Sequence, residues 1–186
     1  MTLPARLTIP EDVLEIVRTL EAAGFEAWCV GGALRDTILG ESNTDHDIAT
    51  AATPDQVRGL FSHTVAVGER YGTMAVRTRR RHHEVTTFRR DVRTDGRHAI
   101  VEYGVSLEDD LARRDFTVNA IAYHPVRHEW RDPFDGEGDL DRRILRAVGN
   151  PEERFREDYL RILRAVRFAA RFELAIDPDT WRAARA

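Results

Sequence analysis

The chain has 186 residues, room for one domain or for one domain and the start of a second. Hydrophobic residues make up 42% and charged residues 32%, enough for a packed core under a wet surface, and no apolar run reaches the roughly 18 residues of a membrane span. The net charge of -4 excludes a uniformly basic coat, although all 28 basic residues are Arg and cluster at 77–81, 89–97 and 154–171.

The N-terminal stretch lacks the long apolar core of a secretion signal. Pro10, followed by Val13, Leu14, Val17 and Leu20 on one face and stopped at Gly24, predicts an amphipathic helix. Residues 25–30 read as a buried strand. The lone Cys29 lies within it, a core residue of a protein in a reducing cytoplasm. Gly31-Gly32 turns the chain into a short helix over 33–39, closed by Gly40, and 45–49 read as the next strand. Thr53-Pro54-Asp55 caps a helix to Leu60. Alternation over 63–67, 73–77 and 82–88 predicts antiparallel strands, whereas the polar run 89–99, with Asp95-Gly96, reads as a loop. Ser106 caps a helix through Leu111, 116–123 is apolar, and 132–139 is a Pro/Gly turn. Asn150-Pro151 opens a long helical region to Phe172, and Asp177-Pro178 starts another helix.

Asp45-His46-Asp47 carries the first chemical signal. On a strand the two carboxylates point the same way, and converging carboxylates call for a cation between them. Hard oxygen ligands favour Mg²⁺ or Mn²⁺; a zinc site would lack a second cysteine. A D-x-D is also met as a solvated strand end. Glu84, with Val85 and Thr87 facing opposite to it on its strand, adds a third carboxylate for a two-metal site, or is an exposed strand residue. The Gly31-Gly32 turn brings backbone N–H groups close enough to cradle phosphate, within about fifteen residues of those carboxylates.

Gly31-Gly32-Ala33-Leu34-Arg35-Asp36 followed by Asp45-x-Asp47 resembles the signature of the DNA polymerase β-type nucleotidyltransferases. More narrowly it resembles the class II bacterial tRNA CCA-adding enzymes and poly(A) polymerases. Arg113-Arg114-Asp115 resembles that family's ribose motif, with Asn119 a helper. Asp132-Pro133-Phe134-Asp135-Gly136 resembles its hinge. Glu157-Asp158-Tyr159-Leu160-Arg161, continued by Arg164-Ala165-Val166-Arg167-Phe168, resembles its base-reading motif.

The resemblance implies an α+β head, a mixed, mainly antiparallel sheet flanked by helices, over 1–148. A helical neck would begin at 149–186, with body and tail domains absent. It implies a transfer from CTP and ATP to the 3′ end of tRNA, with no membrane role. The metal site would be Asp45, Asp47 and Glu84; Gly31, Gly32 and Arg35 would position triphosphate; Asp158, Arg161 and Arg164 would belong to the base-reading motif. Asp158 and Arg161, i and i+3 on a helix, would accept from an exocyclic amine and donate to a ring acceptor, a pattern cytosine and adenine share and uracil lacks. A poly(A) polymerase, a CC-only or A-only enzyme, and a nucleotide-binding head without turnover share these motifs. The polar run 89–99 resembles the family's flexible loop, with Arg89, Arg90, Asp91, Asp95, Gly96 and Arg97 fitting its pattern. His46 stands where the family has an apolar residue and Asp135 where it has glycine.

Overall fold

The computed structural model describes residues 3–41, 43, 45–68, 72–79, 81–94 and 99–186. Asp95, Gly96, Arg97 and His98 lie outside them. The chain begins with α1 (Glu11–Ala22), β1 (Ala27–Val30), α2 (Gly32–Ile38), β2 (Asp47–Thr50) and α3 (Pro54–Leu60). It continues through β3 (Thr64–Gly68), β4 (Thr73–Arg77), β5 (His82–Thr87), β6 (Arg89–Thr94), β7 (Ala99–Tyr103) and α4 (Leu107–Ala112). After a 3-10 turn at Thr117–Asn119 come β8 (Ala122–His124), β9 (Glu129–Arg131), α5 (Gly136–Asp141) and β10 (Ile144–Leu145). The last elements are α6 (Pro151–Glu157), α7 (Leu160–Phe172), β11 (Ala175–Ile176) and α8 (Pro178–Ala184).

One sheet of seven strands, in the order β3-β4-β5-β2-β1-β8-β9, carries the fold. Only β2 and β5 run parallel; the other pairs are antiparallel, so the expected mixed, mainly antiparallel sheet is what forms. Its two faces differ. Cys29, Ile48, Met74, Val76 and Val85 point to one side and are sealed by Val13, Ile16, Val17 and Leu20 of α1 and by Val57 of α3. Burial among these side chains pushes the Cys29 thiol up to about 12 and leaves it an inert core group. On the other side Trp28, Val30 and Ala49 are covered by Leu107 and Leu111 of α4, but coverage stops there. A third cluster joins Ile38 of α2 and Leu140 of α5 to Phe155 of α6 and Phe168 and Phe172 of α7, so the C-terminal helices share a core with the sheet domain.

Several sequence expectations need correction. β2 starts at Asp47, which leaves Asp45 in the irregular chain before it. Residues 89–94 of the expected loop are instead strand β6, which pairs with β7 in a separate two-stranded ladder. The polar sequence of β6 hid it, and Arg90 reaches Glu102 at 2.6 Å across the pair. The apolar run at 116–123 splits into the 3-10 turn and β8, and the 132–139 turn leads into α5, with the Asp132 carboxylate accepting from the Gly136 and Glu137 amides. The long helix expected from Asn150 is two helices. Asp158 breaks them at φ -155°, ψ 106°, and its carboxylate accepts from the Leu160 amide to start α7. Asp158 and Arg161 are therefore not on one helix face.

Asp135 adopts the left-handed conformation (φ 56°) that a glycine would take most easily, and Arg142 holds its carboxylate at 2.7 Å. The next residue admits no substitute: a Cβ on Gly136 would run into the Thr117 carbonyl and the Ile121 side chain. Gly136→Ala is expected to cost about 1–3 kcal/mol through this overpacking. The check is thermal unfolding, with the midpoint falling about 2–4 °C per kcal/mol.

Candidate active site

Two neighbouring hollows lie on the open part of the sheet. The larger, a cleft of about 620 Å³, is walled by α2, the segment from Arg113 to Asn119, and α7. It gathers eleven of the residues singled out from sequence: Gly31, Gly32, Arg35, Asp47, Arg113, Arg114, Asp115, Asn119, Asp158, Arg161 and Arg164. The smaller, of about 400 Å³, holds Asp45 and Glu84.

Sheet register explains the acidic row. β2 and β5 pair with Ile48 opposite Val85, so Asp47 and Glu84, one step back on each strand, are neighbours on the open face. His83 and Val85 alternate into the core, which keeps Glu84 outside. Gly31 (φ 81°) bends β1 into α2 beside this row: a Cβ there would lie 3.3 Å from Asp47 Oδ2 and 3.4 Å from Arg114 Nη1. The Asp47 carboxylate remains solvent-accessible, yet the cleft walls strip much of its hydration. That desolvation and the charge of Glu84 push it up to about 6, with Asp45 adding to the rise and Arg114 opposing it. Among the described residues no three acids or histidines stand close enough to form a ready-made metal cluster. The donor set still suits a hard cation: adjacent carboxylates that resist ionising together are relieved by a divalent charge. His46 is buried and its Nδ1 finds no partner among the described residues; burial lowers its pKa.

A polar chain lines the cleft floor. Arg35, only 4% exposed, donates to Asp36 Oδ1 (2.9 and 2.6 Å) and to Asn119 Oδ1 (2.5 Å), with Phe168 and Phe172 packed at 4.9 and 4.3 Å. Asn119 donates to Asp115 Oδ1 at 2.9 Å, and Asp115 Oδ2 accepts from Arg164 at 2.7 Å. Arg35 thus sits beneath Gly32, its guanidinium engaged by the protein. Arg161 is also braced. Nη1 donates to the Arg154 carbonyl (3.0 Å) and Glu157 (2.7 Å), and Nη2 to the Arg113 carbonyl (3.1 Å). With these bonds made, Nε–H and one Nη2–H of Arg161 are uncommitted among the described residues.

Beneath the rim, Asp110 is almost fully buried and organises the arginine pair. Its Oδ1 accepts from Arg113 at 3.0 and 2.8 Å, and its Oδ2 from Arg114 at 3.2 Å. Burial raises its pKa, but Arg113 and Arg114 outweigh that and hold it below 3.8. Sequence reading passed over Asp110, Asn43 and Arg171. Asn43 donates to Asp36 at 2.8 Å and Arg171 lies 3.9 Å from it; neither falls in a motif, and only the fold brings them to the cleft.

A model of the poly A polymerase head domain matches residues 27–146. A CCA-adding enzyme of Streptococcus suis is 47% identical over 175 residues, 93% of this chain and 43% of that one. The CCA-adding enzyme of Geobacillus kaustophilus is 46% identical over 176 residues, 91% of this chain and 42% of its own. Among solved structures, the Bacillus stearothermophilus CCA-adding enzyme in complex with CTP superposes with a TM-score of 0.85 at 46% identity, covering 93% of this chain and 42% of that one. A tRNA nucleotidyltransferase complexed with a primer tRNA and an incoming ATP analog reaches 0.76 at 28% identity, covering 91% and 48%. The chain spans less than half the length of these relatives.

Asp110→Asn should cost about 3–5 kcal/mol at neutral pH, since two arginines lose their buried counter-charge. The folded pKa is depressed, so Asp110 contributes its stability above the unfolded value of 3.8 and loses it as pH falls through the lower folded value. Denaturant unfolding from pH 6 to pH 3 should therefore show a flatter acid limb in the variant than in the wild type.

Proposed function

The chain belongs to the poly A polymerase head-domain family, and on that premise we propose that it is the catalytic head of an RNA nucleotidyltransferase adding C and A residues to the 3′ end of tRNA from CTP and ATP. Residues 1–148 form the head and 149–186 begin a helical neck. The observation that carries this reading is the single cleft that unites the Gly31-Gly32 turn, Asp47, Arg113-Arg114-Asp115, Asp158 and Arg161. The CCA-adding names of its relatives support the choice of product. No helix among the described residues is long and apolar enough to cross a membrane; the cytoplasmic placement rests on the tRNA-processing reading.

Each group has a task in this scheme. Asp45, Asp47 and Glu84 would hold Mg²⁺ or Mn²⁺, which when bound supplies charge neutralisation at the triphosphate and acidifies the primer hydroxyl. Glu84, exposed beside Asp47, accepts the proton of that hydroxyl. The hydroxyl oxygen bonds to the α-phosphorus as the bond to pyrophosphate breaks. Gly31 and Gly32 let the backbone approach the phosphates, with the buried Arg35 beneath adding positive charge. Arg113, Arg114, Asp115 and Asn119 face the sugar. Arg161, braced by three hydrogen bonds, presents its remaining N–H groups to the base edge, and Asp158 accepts from the exocyclic amine. Arg164 fixes Asp115. UTP, with a carbonyl at that position, would leave Asp158 facing an acceptor.

Primer extension on a tRNA lacking its CCA end, with Mg²⁺ and each nucleotide singly and together, tests the proposal. The expected product is C, C, then A, with U and G refused. A run of A alone would assign a poly(A) polymerase, and CC or A alone a partial enzyme. Asp47→Ala should cut incorporation at least about a hundredfold while leaving the fold intact by circular dichroism. Near-wild-type incorporation would remove Asp47 from the metal site.

A further inference from the structure

The smaller hollow has a second wall that the nucleotide reading does not use. Val65 lies opposite Ala75, and Ala75 opposite Glu84, so these three form one row across β3, β4 and β5 on the same open face as Asp47. His82, two residues before Glu84, shares that face. β3 is the edge strand, and its register slips between Ala66 and Gly68, which makes Val67 the extra residue of a bulge. Bulges re-aim side chains, and here Val67 joins Val65 in lining the hollow. Each valine is 58% exposed, an unusual state for two β-branched residues on the strand beside an acidic row.

Charge separates the two hollows. The larger cleft carries eight arginines, including Arg113, Arg114, Arg164 and Arg167, against six carboxylates, so its lining is net positive. The smaller is lined by Asp45, Glu84, His82, Val65, Val67 and Ala75, with no arginine among the described residues. A triphosphate suits the first and is repelled by the second. The second suits a group with an apolar face and a hydroxyl directed at carboxylates. In-line transfer requires the attacking hydroxyl to approach from the side opposite the leaving pyrophosphate. Asp47 and Glu84 sit at the border of the two hollows, so a nucleotide in the cleft leaves the valine side for the attacking group.

We infer that Val65 and Val67, with His82, form the seat of the primer's 3′-terminal nucleoside, packing against its base and ribose and delivering its 3′-hydroxyl to Asp45 and Glu84. This rests on the nucleotidyltransferase reading. The occupant is the end of an RNA chain, because an apolar platform accepts any base face while the acidic row rejects a terminal phosphate.

The test uses the 186-residue chain with ¹³C-methyl valine in Mg²⁺, titrated with the dinucleotide cytidylyl-(3′→5′)-cytidine and, separately, with CTP. The Val65 and Val67 methyl signals, assigned from Val65→Ile and Val67→Ile, should move with the dinucleotide. The double variant Val65→Ser/Val67→Ser should weaken dinucleotide binding about tenfold and leave CTP binding and the melting temperature unchanged. Stationary valine signals, an unchanged dinucleotide affinity, or no dinucleotide binding beside normal CTP binding would each overturn the inference. Failure to bind CTP would instead strike the nucleotidyltransferase reading. A sedimentation mass that falls from dimer to monomer in the double serine variant would give the patch to a second copy of the chain and overturn the RNA assignment.

Discussion

The cleft depends on one chain of buried polar contacts, Asp36 to Arg35 to Asn119 to Asp115 to Arg164. It connects α2, the Arg113–Asn119 segment and α7, which are far apart in sequence. Each link removes a charge or amide from water, and such a network stabilises only if every member is satisfied. Here Arg35 is matched on one side by Asp36 and on the other by Asn119, with Phe168 and Phe172 against it. The same phenylalanines belong to the core that joins α7 to α2. The contacts that close the cleft are therefore also contacts that attach the C-terminal helices.

The sheet supplies the second constraint. One parallel pair, β2 with β5, in an otherwise antiparallel sheet brings two carboxylates from distant segments side by side. The face carrying them is left open because α1 and α3 pack on the other. Gly31 lets β1 turn away just where Asp47 and Arg114 need the space. The lining is net positive towards α7 and purely acidic among its charged carboxylate and arginine groups towards β3, and that difference distinguishes where a triphosphate and an RNA end would each sit.

Much of this was legible from sequence, for identifiable reasons. Thr53 and Ser106 announced their helices because both form capping boxes, with Gln56 and Asp109 answering from three residues on. β5 was legible because it alternates between core and solvent, and β4 because its apolar run, Met74, Ala75 and Val76, is buried between Thr73 and Arg77. β6 was not, since its almost wholly polar sequence leaves no hydrophobic period to read. The break at Asp158 was hidden for a similar reason: apolar residues continue through it, and a side-chain cap is visible only once the Leu160 amide is seen to need a partner. At the site, the glycines, Asp47 and the arginines followed from motif order, while Asp110's hold on two of those arginines required the fold.

On the proposed function, head and neck residues form one nucleotide site that accepts C and A. Isothermal titration of CTP, ATP, UTP and GTP into the chain, in Mg²⁺ and without RNA, tests it most directly. CTP and ATP should bind, UTP and GTP should bind weakly or not at all, and Asp158→Ala should lose that preference. Equal affinity for all four nucleotides, or a preference that survives Asp158→Ala, would contradict it.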